Sequence, residues 1–386
     1  MTLVPLLGPL EDENLTSWSA RMAWFHAALP CEDWLKMLQI SLSSVTNQTA
    51  ECVDRFAGLT GVDRARVQDC GVQWLGNRKF IHRQETFGAY FELRTHTTYC
   101  PACLLEDSDP GSPSAGQRVG RNSWSFKPIR TCPRHGVLLY RRPHAAVHER
   151  FQNMNRVAPC NAELERQAEK SERRNVSDLQ HYVASRFLHG RDNGWLDLQN
   201  IDQAVKACEM LGVCRVFGAH KDLHTLTMSQ LDEAGHAGFE AASQGESGIR
   251  DALEEIALES TRQQLRGGPQ ALYGRLYQWL QFNKSQVDPG PIREVVRAHI
   301  LDTLAVETGT TIFGEEVVRR RHSLRSLSEA TGIHIKTLNR VLLRFGMIAD
   351  EDDDAAGTQV TFDAEAGESL ARRVKNSIPA KKIPEY

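Results

Sequence analysis

The sequence predicts a mainly α, multidomain protein, on three observations. A chain of 386 residues is longer than one ordinary hydrophobic core serves, and divides into roughly two to four domains. Apolar residues recur at three- and four-residue steps in separate stretches from Leu15 to Phe345, which is the helical period. Near residue 100 that pattern gives way to short Cys and His pairs, the mark of a small module held by something other than apolar bulk.

The N-terminal stretch is read as a helical module. Leu15, Trp18, Met22, Phe25 and Leu29 form one apolar helix face that Pro30 ends. "CEDWLKMLQI" starts a second helix, and "CVDRFAGLTGVDRARVQDC" reads as helix, turn at Gly61, helix. That is the outline of a helix-turn-helix, and a plain helical hairpin fits the same residues. Trp18 and Trp34 are expected in the helical core.

"YCPACLLED" and "TCPRHGVLL" then place Cys100-x2-Cys103 and Cys132-x2-His135 as two short knuckles. Each knuckle presents two ligands to one ion, and a Cys₃His set completes the tetrahedron that Zn²⁺ favours. His96, His144 and Cys160 are alternative ligands off the knuckle spacing. Four protein ligands leave no open position, so the expectation is one structural zinc. The intervening "EDSDPGSPSAGQRVG" reads as a surface excursion.

Residues 118–142 hold seven basic side chains and no acidic one. Arg121, Lys127, Arg130 and Arg134 are the candidates there for binding a phosphate backbone or an acidic protein face. Trp124 lies among them and is expected to pack against the knuckles as a miniature core.

Farther on the chain reads as helical. "AELERQAEKSERRNVSD" is a polar connector or exposed helix marking a boundary near residue 160. Ile249, Leu253, Ile256 and Ser260 mark one amphipathic face, closed by "GGP" at 267–269. Leu272, Leu276, Trp279 and Leu280 mark the next, and Pro291 opens a third with Val295, Val296, Ile300 and Leu304. "DLHTLTMSQLDEAG" is open between a turn and a short strand.

The C-terminal "RRRHSLRSLSEATGIHIKTLNRVLLRFGMI" reads as a helix-turn-helix. Leu324, Leu327 and Ala330 line a short first helix, Gly332 makes the turn, and Ile335, Leu338, Val341, Leu342 and Phe345 line the second. Lys336, Thr337, Arg340 and Arg344, with Asn339 at the margin, lie on its outer face, as a recognition helix presents itself to a groove. Arg319, Arg320 and Arg321 are candidate phosphate contacts, and "GMI" with "QVTF" is expected to close a wing. "DEDDD" at 350–354, at the tip of that wing, would repel a phosphate backbone, although such runs are usually solvated loops. The same fold also docks RNA and protein.

"YCPACLLED", Trp124 and "CPRHGVLLY" together resemble the zinc-finger signature of the TniQ family of transposition proteins. "ENLTSWSARMAWFHAAL" is similar to that family's opening segment, where a Ser-Trp pair precedes an Arg-containing helix. The resemblance is carried by about residues 10–150. It departs where many members carry a second cysteine set, since "YRRPHAAVHERFQNMNRVAPC" supplies only Cys160 and scattered histidines. The resemblance implies a non-catalytic targeting adaptor. Such an adaptor joins a target-recognition complex, in some systems an RNA-guided CRISPR effector, or target DNA, to the AAA+ ATPase of transposition. It also implies a possible homodimer.

Four segments are expected: a helical, helix-turn-helix-like module over 1–94, a zinc-finger module over 95–158, a helical domain over 159–306, and a C-terminal (winged) helix-turn-helix over 307–386. Hydrophobic content of 41% and charged content of 25% are those of a globular protein. No apolar run approaches the roughly 18 residues of a membrane helix, and the opening residues lack a secretory pattern. With nine unevenly placed cysteines, the expected place is a reducing cytoplasm and no membrane partner. A zinc-containing helix-turn-helix transcription regulator is the alternative to the adaptor. An enzyme is not expected, since the sequence shows no P-loop, no spaced acidic triad and no open metal site.

Overall fold

The computed structural model describes residues 2–146, 148–149, 153–260, 267–282, 288–349 and 360–377. The fold is mainly helical with small antiparallel sheets. Close contacts divide it into two compact units, Met1–Lys206 with Leu226–Phe239, and Ala207–Thr225 with Glu240–Tyr386. This division is coarser than the four expected segments.

The first unit opens with helices α1 (Leu15–Ala27), α2 (Cys31–Met37), α3 (Leu42–Thr46), α4 (Ala50–Thr60) and α5 (Arg64–Gln68). Asn14 caps α1 by accepting from Ser17 N at 2.8 Å. Trp18, Met22, Trp34, Phe56 and Val67 are buried in a common core, but Phe25 is half exposed. The helix ends at Ala28, whose backbone is left-handed, before Pro30 is reached. Gly61 supplies the left-handed turn between α4 and α5.

After α5 the chain forms a three-stranded antiparallel sheet, β1 (Gln73–Gly76), β2 (Lys79–His82) and β3 (Glu85–Gly88), where only helices were expected. Alternation explains it: Phe80 and His82 point inward on β2, and Glu85 and Phe87 on β3. Asn77 and Arg78 take positive φ, as a tight hairpin turn requires. Phe87, Phe91, Phe126 and Phe187 pack ring on ring beneath this sheet. Glu85 is fully buried and receives Arg186 at 2.7 Å and Arg191 at 3.1 Å.

Strands β4 (His96–Tyr99) and β5 (Tyr140–Pro143) pair antiparallel, with the Tyr99 and Tyr140 rings stacked at 5.9 Å. Helix α6 (Pro101–Asp107) follows β4. After a short helix, α7 (Met154–Val157), comes α8 (Asn161–Lys170), the stretch expected to be a polar connector at a boundary. Instead α8 packs on α6: Leu164 is fully buried, and Tyr99 Oη donates to Gln167 Oε1 at 3.1 Å. One buried leucine and one glutamine in a polar sequence are enough to seat it. The boundary near 160 therefore does not separate compact units. Helix α9 (Asp178–His189), α10 (Ile201–Phe217) and α11 (Met228–Ala242) follow, so "DLHTLTMSQLDEAG" becomes one 3₁₀ turn and a helix rather than a strand.

The second unit contains α12 (Glu246–Leu258), α13 (Gly268–Gln281) and α14 (Ile292–Thr303). Ile249, Leu253 and Ile256 are buried as their spacing predicts, and so are Leu272, Leu276, Val295, Val296 and Ile300. "GGP" opens α13 rather than closing α12. Gly274 breaks α13 at φ 42°; a Cβ there would meet Ala219 O at 2.1 Å, and that carbonyl accepts from Arg275 N at 2.7 Å. A side chain is excluded at that position.

Two short strands, β6 (Thr311–Ile312) and β7 (Glu315–Glu316), precede β8 (Arg321–Ser323), α15 (Leu324–Thr331) and α16 (Ile335–Arg344). Strand β9 (Thr361–Asp363) and α17 (Ala364–Lys375) complete the domain. Gly332, left-handed at φ 73°, makes the turn between α15 and α16. Leu324, Leu327, Leu338, Leu342, Ile348, Phe362 and Leu370 form the core. The described partner of β9 is β8, not the "GMI" segment at 346–348, whose Ile348 is a core residue. "DEDDD" and Gln359 lie outside the described residues. Ala330, Ile335 and Phe345, expected to face inward, are exposed.

Candidate metal centre

Two local turns build the site. Cys100 caps α6, and Pro101 occupies its first position, where no backbone N–H is needed. Cys103 follows within the first turn and faces the same side. The second knuckle is a tight loop: Gly136 N donates to Cys132 O at 2.9 Å, and Cys132 N to Val137 O at 2.8 Å. Gly136 takes φ 59°, which a residue with a Cβ adopts only with strain. The β4–β5 pairing brings the two knuckles together.

The ligand atoms of Cys100, Cys103, Cys132 and His135 all lie within 4.8 Å of one another. Cys103 Sγ is 3.6 Å from Cys132 Sγ and 3.3 Å from His135 Nδ1. Cys100 Sγ and Cys132 Sγ are 3.6 and 3.5 Å from that nitrogen. Zinc bonds of about 2.3 Å to sulfur and about 2.0 Å to nitrogen give a tetrahedron with edges of about 3.5–3.8 Å. The four side chains match that cage. The cysteines are buried and His135 is nearly so. Hydrogen bonds with Cys100 and Cys103 drive the Cys132 thiol far below its usual range, and those with Cys100 and Cys132 drive Cys103 far above it. Cys100 is raised as well, so one thiolate and two thiols share the cluster, and a bound divalent cation would favour loss of the remaining two protons. One metal ion, consistent with zinc, fits this set.

A residue the sequence reading missed completes the centre. Glu106 accepts from His135 Nε2 at 2.8 Å through Oε1, and from Arg134 Nη2 at 2.6 Å through Oε2. The carboxylate thereby holds the imidazole with Nδ1 toward the sulfurs. The signal was in the sequence, since Glu106 follows Cys103 by one helical turn.

The basic stretch is largely turned inward, which corrects two of its candidates. Arg121 forms two hydrogen bonds to Asp107, at 3.0 and 3.1 Å, and its guanidinium covers the buried Trp124 ring at 4.7 Å. Arg130 is buried 3.9 Å from Asp232. Neither lies on an open face, because each balances a buried carboxylate. Lys127 and Arg134 are exposed, Arg134 beside Glu106. Of the C-terminal candidates, Lys336, Thr337, Arg340 and Arg344 are exposed on α16 and Asn339 is half-buried. The three arginines before α15 are already engaged: Arg319 with Val306 O, Arg320 with Asp302 and Arg321 with Thr361 O.

The "ENLTSWSAR" motif has a structural role. Arg21 Nε and Nη2 reach Glu13 at 2.7 and 2.6 Å, with both side chains buried. Ser17 Oγ donates to the same carboxylate at 3.2 Å and accepts from Gly120 N at 2.9 Å. Asn14 N donates to Gly120 O at 3.0 Å. The motif therefore ties α1 to the segment between the zinc knuckles. A family model, TniQ, matches residues 5–139, which span both halves of this joint. The chain carries a TniQ domain. A TniQ domain implies a transposition-associated adaptor role. No curated protein matches the chain. Among the described residues no helix is long and apolar enough to cross a membrane.

Proposed function

We propose that the protein is a non-catalytic targeting adaptor of transposition. It links a target-recognition complex, or target DNA itself, to the AAA+ ATPase that recruits the transposase. The TniQ match over residues 5–139 carries this reading. Two features support it. The Cys₃His set uses all four zinc positions on protein side chains, which suits a structural metal and leaves no site for substrate. Helix α16 presents Lys336, Arg340 and Arg344 outward from a helix-turn-helix, a second docking element far along the chain. An RNA-guided CRISPR effector is one candidate recognition complex, and a homodimer one candidate assembly.

Pull-down of the tagged chain from its native host tests the reading. Co-purification of an AAA+ ATPase supports it, and guide RNA with CRISPR subunits identifies the recognition complex. Recovery of promoter DNA with no transposition protein would instead support a transcription regulator.

A further inference from the structure

We propose that the β1–β2 hairpin is a contact for single-stranded nucleic acid, with Trp74 stacking on a base and Arg78 and Lys79 holding phosphate. Phe80 and Phe87 of the same sheet are buried, whereas Trp74 is 53% exposed and Leu75 is 50% exposed. Arg78 and Lys79 are exposed at the turn and make no ion pair among the described residues. No acidic residue occurs between Gly71 and Gln84. The positive φ angles of Asn77 and Arg78 fix the turn that carries both cations.

An uncompensated pair of cations beside an exposed indole matches a polyanion with π-faces, the combination single-strand binders use. A strand added by a protein partner fits less well, because Trp74 N already donates to Asn47 O at 3.2 Å and so occupies the open edge at that residue. A duplex keeps its base faces stacked, which leaves the indole nothing to cover. The inference is independent of the adaptor reading and fails separately from it.

The experiment is fluorescence anisotropy of the full chain with labelled 20-nucleotide single-stranded RNA, single-stranded DNA and duplex. Trp74→Ala should weaken single-strand binding about tenfold with its salt dependence unchanged. Arg78→Glu with Lys79→Glu should weaken it further and reduce the slope of log affinity against log salt by about 1.4. Duplex binding should be unaffected by either. Where Trp74→Ala lowers the melting temperature, Trp74→Phe replaces it and should retain binding. Unchanged single-strand affinity in the variants overturns the proposal, as does absence of single-strand binding by the wild type. A loss in Leu75→Ala equal to that in Trp74→Ala, with the cations silent, also overturns it, by marking an apolar protein contact.

Discussion

Glu106 orients His135: its Oε1 accepts from the imidazole Nε2 at 2.8 Å, so that Nδ1 faces the three cysteine sulfurs. A half-exposed glutamate on α6 thus sets the tautomer of a metal ligand on a different loop. Glu106→Gln keeps the shape but removes the charge from the acceptor that holds the ring. Zinc affinity, read by competition with a coloured chelator, should fall about 10- to 100-fold. An unchanged affinity would show that the knuckle backbone alone positions His135.

Removal of a ligand should be more severe. Cys103→Ser leaves three ligands and a hydroxyl that binds zinc poorly, and the module between β4 and β5 relies on the metal to join two short loops. Metal content should drop to background and the melting temperature of the chain should fall, because binding energy at a structural site is folding energy. Elemental analysis of wild-type protein prepared without chelator should show one zinc per chain. Its absence would remove the metal from the account.

The Glu13–Arg21 pair tests the joint between α1 and the knuckles. Both side chains are buried, so Arg21→Ala strands a carboxylate in the interior, left among the described residues with Ser17 Oγ and Leu10 N as donors. Loss of one partner of a buried pair costs about 3–5 kcal/mol. Urea unfolding should show that loss, while Arg64→Ala, whose partner Asp54 is exposed, should change stability by less than about 1 kcal/mol.

Glu92 gives a pH signature. Burial raises its carboxyl from 4.5 to about 7, against the opposing pull of Arg94. The folded state therefore favours the protonated acid. Its contribution to stability is complete below pH 4.5 and is lost as pH rises through 7. Glu92→Gln should match wild type at pH 4.5 and exceed it at pH 8 by about 1–3 kcal/mol. Equal stability differences at both pH values would show that Glu92 ionises freely.

The zinc ligands were legible because chemistry restricts them: two short spacings of Cys and His have few other uses. The helix-turn-helix of α15 and α16 was legible from periodicity and Gly332. Burial within the basic stretch was not. Arg121 and Arg130 look in sequence like Lys127, and only the fold brings Asp107 and Asp232 to them. The β1–β3 sheet was missed because its strands are four residues each, too short for a clear alternation, although Gly76-Asn77 was a turn signal. Ile335 and Phe345 sit at the two ends of α16, where a helical stripe runs past the edge of the core and burial stops.

Lys336, Arg340 and Arg344 are exposed, while Leu338 and Leu342 hold the opposite side of the helix in the core. Charge reversal at all three should leave the unfolding free energy within about 1 kcal/mol of wild type, as substitutions at exposed positions usually do. It should abolish engagement of whichever nucleic acid or protein this face contacts, and a steep loss of wild-type affinity with salt would assign phosphate. An adaptor touches two partners at once, so its modules should fail separately. The α16 variant should retain the interaction made by the N-terminal TniQ domain, and a variant in that domain, such as Lys127→Glu with Arg134→Glu, should retain the one made by α16. Each should lose targeted insertion in a reconstituted reaction. Insertion at the correct site without this protein, or with the triple variant at wild-type efficiency, would refute the role. DNA cleavage by the purified chain alone would refute the non-catalytic assignment.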